Sequence, residues 1–167
     1  MTSEEMKSVW ADHCRCEFEL RDVDATLATM SDNPHMLNVP TGHGGQGRDG
    51  MRRFYTEEFI GTMPDDVGVE SLGLAVGGTR IAEEVVMTFT HDRVMPWILD
   101  GVDPTGRQVR IPMLAVVGFR DGKVDYEHIW WDQASVLAQL DLLDTERLPV
   151  LTTRQADAIT ALDDSGD

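Results

Sequence analysis

The feature that most constrains this chain is a stretch of strand-like sequence from Val67 to Asp132 that doubles back at two glycine turns. In VGVESLGLAVGGTRIAEEVVMTFTHDR, the pair Gly77-Gly78 separates two β-rich runs, and in RIPMLAVVGFRDGKVDYEHIWWD the pair Asp121-Gly122 separates two more. Tight hairpin turns need positive φ, which glycine adopts without steric cost, and they join antiparallel neighbours. The pattern therefore predicts successive hairpins and an antiparallel-rich sheet.

The helices lie outside that stretch. Trp10, Cys14 and Phe18, then Val23, Leu27 and Met30, recur at helical spacing behind Ser3, Glu4 and Glu5, so one long helix or two short ones open the fold. SDNPH stops the helical pattern, HMLNVP is a short strand candidate, and the glycine-rich TGHGGQGRDG follows. Next comes an amphipathic helix with Met51, Phe54, Tyr55, Glu58 and Phe59 on one side and Gly61 closing it. Asp132 stands in N-cap position for a last helix whose Val136, Leu137, Leu140 and Leu143 share a face. This order predicts an α+β domain over residues 1–144, a cone-shaped curved sheet wrapped by N-terminal helices around a hollow suited to a small molecule. From Thr145 the hydrophobic pattern fails, and residues 145–167 are expected to form an acidic, mobile tail.

Composition narrows the function. Fourteen Lys and Arg against 30 Asp and Glu leave a formal charge of −16, which repels phosphate backbones and argues against nucleic acid. No apolar run approaches the roughly 20 residues of a membrane helix. The opening MTSEEMKSVW lacks the basic and apolar regions of a secretory signal, so a cytoplasmic location is expected. Cys14 and Cys16 point about 200° apart on a helix, which disfavours a bridge between them there, and two cysteines exclude a disulfide framework.

Candidate chemistry concentrates in EHIWWD. Strict alternation places Val124, Tyr126, His128, Trp130 and Asp132 on one face, and Asp125, Glu127, Ile129 and Trp131 on the other. If the first face lines the hollow, an aromatic wall raises the pKa of Asp132 and lets it exchange a proton with His128 close by. As an N-cap, the same Asp132 accepts from backbone amides instead, which lowers its pKa. If the second face lines the hollow, Glu127 is the better base. His13 and Glu17, one helical turn apart on the stripe of Trp10, Cys14 and Phe18, are candidates for substrate binding, as is Tyr55 on the central helix. His91 aligns with Val85, Met87 and Phe89, and Trp97 could cap the mouth of the cone; His35 and His43 flank the first strand and its loop. Gly42, Gly44 and Gly47 satisfy G-x-G-x-x-G, but hairpins follow in place of a βαβ unit, so no dinucleotide is expected. Neither His13 with Glu17 nor His128 with Asp132 supplies the three or four ligands of a zinc site, and no metal or cofactor is expected.

The segments W..H...EF from Trp10, VPTGHGGQG and GKVDYEHIWWDQASVLAQLDLL resemble the SnoaL-like polyketide cyclases of the nuclear transport factor 2-like superfamily. The resemblance implies a cystatin-like α+β barrel, usually a homodimer, performing cofactor-free acid–base chemistry in its hollow. Similar proteins include cyclases, isomerases, dehydratases and limonene-type epoxide hydrolases, and others that bind or assemble without catalysis. Some carry a dienelactone-hydrolase label, although this chain lacks the G-x-S-x-G elbow. In the cyclases a carboxylate near the end of the last strand is the acid or base, a position matched here by Asp132 or Glu127. The expected function is acid–base turnover of a small hydrophobic carbonyl, lactone or epoxide; the alternative is a non-catalytic binding module of the same shape.

Overall fold

The structure is a computed structural model and describes residues 1–163. Helix α1 (Ser3–Cys14) runs without a break into a π-helical stretch, Arg15–Leu20, and α2 (Val23–Ala28) follows. Thr2 opens α1 with a capping box, its hydroxyl accepting from the Glu5 amide while the Glu5 carboxylate accepts from the Thr2 amide. Strand β1 is Met30–Asn38 and β2 is Gly44–Gln46; α3 (Gly47–Arg53) continues into a second π-helical stretch, Phe54–Phe59, and a 3₁₀ turn. Then come β3 (Gly68–Gly77), β4 (Arg80–Thr90), a one-turn α4 (Pro96–Leu99), β5 (Gln108–Arg120), β6 (Lys123–Trp131), α5 (Gln133–Gln139) and α6 (Arg154–Asp163).

The strands form one six-stranded sheet in the order β2-β1-β6-β5-β4-β3, antiparallel throughout except for the parallel β1–β6 pair. Both hairpins expected from sequence are present. The second turns on Asp121 (φ 50°) and Gly122 (φ 80°), the double positive φ of a type I′ turn. The α+β cone is likewise the observed architecture: α1 packs against β4 and β6 and α2 against β1, and Met30, Met51, Phe54, Met95, Ile98, Ile111 and Val117 are fully buried in the core.

Three expectations are corrected. SDNPH does not end in a turn before a new strand; β1 begins at Met30 and carries Ser31–Pro34 as an irregularity between Met30↔Val124 and His35↔Tyr126. The region of residues 154–163, expected to be mobile, is the helix α6. Its Ala156 is fully buried, and Arg110 on β5 donates to Asp157 Oδ1 (2.8 Å) and Thr160 Oγ1 (3.0 Å). The last four residues of the expected tail lie outside the described residues.

The third correction decides where the chemistry sits. β5 pairs Gly118 with Tyr126 but Phe119 with Val124, so Asp125 is an extra residue in β6. Alternation resets there: Val124 is buried, and so are Glu127 and Trp131, while Tyr126, His128 and Trp130 face outward. Ser31 Oγ donates to Asp125 Oδ1 at 2.7 Å and Arg120 pairs with its Oδ2 at 3.0 Å, which holds the bulge in place.

Candidate functional site

Four side chains from three elements meet at the floor of the hollow. His13 comes from the last turn of α1, Glu17 from the π-helical stretch that extends it, Tyr55 from the π-helical stretch after α3, and Glu127 from β6. π-helical turns carry an extra residue and recur at functional sites. All four residues are at most 3% exposed.

His13 Nδ1 lies 2.6 Å from Thr29 Oγ1, and that hydroxyl donates its own proton to Thr26 O at 2.7 Å. Thr29 can therefore only accept from the ring, so Nδ1 carries a proton and Nε2 is the variable atom. Nε2 lies 3.1 Å from both Glu17 Oε1 and Glu127 Oε1. Tyr55 Oη donates to Glu127 Oε1 at 3.3 Å. Trp10 stacks on the imidazole at 5.5 Å between ring centroids, and its indole N–H donates to Glu83 Oε2 at 2.6 Å.

Electrostatics follow from that geometry. Burial pulls the His13 pKa down, but the charges and hydrogen bonds of Glu127 and Glu17 outweigh it and raise it to about 10. At neutral pH His13 is an imidazolium bridging two carboxylates. Burial pushes the Glu17 carboxyl above its usual range, a rise that His13 opposes and Glu127 reinforces. Burial, then the two carboxylates, hold the Tyr55 phenol well above its usual value, so it stays a hydrogen-bond donor.

The cavity beside this cluster has about 550 Å³ of empty space when its open mouth is counted. Its wall is mainly Trp10, Phe18, Met36, Phe59, Val85, Met87, Trp97, Met113 and Ile129, with polar groups from Glu17, Asn38, Glu83 and Glu127. The two carboxylates thus face the hollow, with His13 behind them.

Of the candidates from sequence, Glu127, Glu17, His13, Tyr55, Trp10 and Trp97 are brought together here. His128, Trp130, Asp132, His35 and His91 are not. His128 stands on the outer face, tilted against His35 (5.4 Å) and Tyr126 (4.9 Å), with Trp130 edge-on to it at 5.8 Å. Burial, His35 and Arg80 lower its pKa. Asp132 is the N-cap of α5, accepting from the Ala134 and Ser135 amides at 3.0 and 3.2 Å and from Gln155 at 2.6 Å. His91 is fully buried outside the cavity, its Nδ1 accepting from the Thr105 amide at 3.3 Å.

Two features exceed the expectation from sequence. The donor atoms of His13, Glu17 and Glu127 lie within 4.8 Å of one another, so three groups able to ligate a metal ion converge where spacing offered two. At neutral pH the Nε2 proton competes for that position. Asn38 is 1% exposed, lines the cavity, and has neither amide atom hydrogen-bonded. Its signal in the sequence is period-2 alternation: in MLN, the amide shares a face with the apolar Met36.

Solved structures of similar shape come from small-molecule chemistry. AclR from Streptomyces galilaeus, named as a candidate hydroxylase, superposes with a TM-score of 0.66 at 18% identity, covering 98% of this chain and 99% of that one. IdmH from Streptomyces antibioticus, named as a candidate polyketide cyclase, gives 0.60 at 20% identity, covering 81% and 97%. SalBIII, an epoxide hydrolase/cyclase-like enzyme of salinomycin pyran ring formation, gives 0.59 at 22%, covering 78% and 94%. At these identities the likeness carries the fold. No curated protein matches the chain in sequence. The family model of the SnoaL-like domain matches residues 10–127, most of the chain and the segments that bring His13, Glu17, Tyr55 and Glu127 together, and the chain belongs to that family.

Proposed function

We propose that this protein is an acid–base enzyme acting on a small, largely apolar carbonyl, lactone or epoxide compound inside the cone. One observation carries the reading: Glu17 and Glu127 face an apolar hollow while a single imidazole nitrogen, 3.1 Å from each, joins them from behind. A carboxylate that faces a water-poor cavity abstracts a proton from a bound substrate, and a buried cationic partner keeps it ionised until then. Glu127, which also accepts from Tyr55, takes the role of base. Glu17, whose carboxyl is pushed up by burial, receives the Nε2 proton of His13 and returns it to the product as proton donor. His13 shares the Nε2 proton between them as a positioning residue, and the aromatic and methionine wall holds the apolar body of the substrate.

The test is incubation with a panel of small apolar ketones, lactones and epoxides in deuterated water, with products followed by mass spectrometry. Turnover or deuterium uptake is expected for at least one class, falling about 100-fold or more in Glu127→Gln, with thermal unfolding used to confirm that the variant is folded. Compounds that bind and return unchanged in mass and structure identify a binding module and overturn the reading.

A further inference from the structure

The acid–base cluster occupies one end of the cavity polar surface. Asn38 and Trp97 contribute another part, which the chemistry above does not use. Both line the hollow, at 1% and 3% exposure, and the Asn38 Oδ1 and Nδ2 and the Trp97 Nε1 have no hydrogen-bond partner. Burying such groups unpaired is costly, so folded proteins rarely leave them so. The other indoles near the hollow show the contrast: Trp10 donates to Glu83 Oε2 and Trp131 donates to Gln133 Oε1, each at 2.6 Å.

The backbone fixes where the unused groups stand. β1 and β6 run parallel with Met36 opposite Glu127 and Asn38 opposite Ile129, so Asn38 lies one strand over and two residues along from Glu127. At about 3.3 Å per residue and about 4.8 Å between strands, the two Cα atoms are separated by roughly 8 Å. Asn38 is itself held from the main chain: its amide donates to His43 O at 2.8 Å, and its carbonyl accepts from Thr41 and Gly42. Thr41 Oγ1 in turn donates to Trp97 O at 2.8 Å, tying the loop after β1 to α4. The backbones of Asn38 and Trp97 are thus linked through one short loop.

We propose that Asn38 and Trp97 form an oxygen-binding pair for a hydroxyl or enol group carried on an aromatic or otherwise apolar ligand. Such an oxygen accepts from the indole N–H and donates its own proton to Asn38 Oδ1, leaving the Asn38 N–H for a neighbouring oxygen. The proposal rests on the reading of the hollow as a substrate site and narrows it: the ligand places a hydroxylated edge at the Asn38 end and its reacting carbon at the Glu127 end.

Three probes of similar size separate the contributions: p-cresol, which donates and accepts, 4-methylanisole, which only accepts, and p-xylene, which does neither. In ¹H,¹⁵N spectra of the whole protein, the Trp97 indole resonance, identified by its absence in Trp97→Phe, is expected to move downfield with p-cresol and less with 4-methylanisole. With p-xylene the downfield component is absent, and the hydrogen-bonded Trp10 and Trp131 indoles serve as internal references. p-Cresol is expected to bind about tenfold more tightly than p-xylene, and Asn38→Leu is expected to abolish most of that preference while leaving p-xylene affinity in place. Equal affinities for the three probes, no p-cresol binding, or an undiminished preference in folded Asn38→Leu would overturn the pair. Outcomes for the two proposals separate cleanly. Loss of the p-cresol preference in Asn38→Leu alongside full turnover in Glu127→Gln retains the pair and removes the base; an undiminished preference in Asn38→Leu alongside lost turnover in Glu127→Gln removes the pair and retains the base.

Discussion

Replacing His13 by leucine tests the electrostatic core of the site without any knowledge of the substrate. The substitution keeps an apolar side chain against Trp10 but removes the cation between Glu17 and Glu127, which are 3% and 1% exposed. The rise of the His13 pKa from 6.5 to about 10 corresponds to about 5 kcal/mol of preferential stabilisation of the charged ring, an amount shared with both carboxylates. Removing one partner from a buried charge cluster costs about 3–5 kcal/mol in general, so the two routes agree in order of magnitude. For a chain of this length that loss lowers the melting temperature by roughly 6–20 °C. The pH dependence adds a sign. A folded-state pKa above the unfolded one stabilises fully below pH 6.5, and the contribution is lost as pH climbs through about 10. The gap between wild type and His13→Leu should therefore narrow from pH 7 to pH 10, because the unfolded ring is already neutral there and the folded one must still take up its proton. Adding Glu17→Gln to the variant removes one of the two like charges and should restore a large part of the loss. Urea and thermal unfolding at several pH values measure all of this. A variant within about 1 kcal/mol of wild type at pH 7, or a gap independent of pH, would refute the argument.

Two further substitutions separate structure from chemistry. Asp132→Ala removes the N-cap of α5 and the acceptor of Gln155, and should cost about 1 kcal/mol by denaturant unfolding while leaving turnover intact, since the carboxylate is remote from the cavity. Gly61→Ala would place its Cβ 1.9 Å from Thr56 O, a backbone atom that cannot swing aside; a loss of about 1–3 kcal/mol is expected, measured by the same unfolding.

Most of the fold was legible because its determinants are local. The Asp121-Gly122 turn, the helix stripe of Trp10 and Phe18 and the Asp132 cap are each decided within a few residues. The family resemblance likewise rests on segments readable in order. The cluster was only half legible. The spacing of His13 and Glu17 identified them as a pair on one stripe, but their meeting with Tyr55 and Glu127 joins parts of the chain about 40 and more than 100 residues apart, and no local pattern encodes that. His128 and Asp132 looked attractive because alternation put them on the face of Trp130; His128 and Trp130 do share that face, but it is the outer one, and which face borders the hollow is decided by distant packing. Residues 154–163 looked like a tail because their pattern is weak, while their order comes from Arg110 on a distant strand.

The bulge at Asp125 gives β6 a choice between two sets of side chains of the same strand. With it, the hollow receives Glu127 and Ile129; the same residues in strict register from Phe119↔Val124, without the bulge, would set Tyr126 opposite Val117, present Tyr126, His128 and Trp130 to the hollow and expel the carboxylate to the outside. Drawing Asp125 into regular pairing would therefore exchange an acidic interior for an aromatic and imidazole one and move every β5–β6 pair beyond it by one residue, whereas deleting Asp125 would keep Glu127 opposite Val117 and inside. Among chains built on this cone, whether the closing strand bulges before its last six residues can matter as much as the identity of any residue lining the cavity.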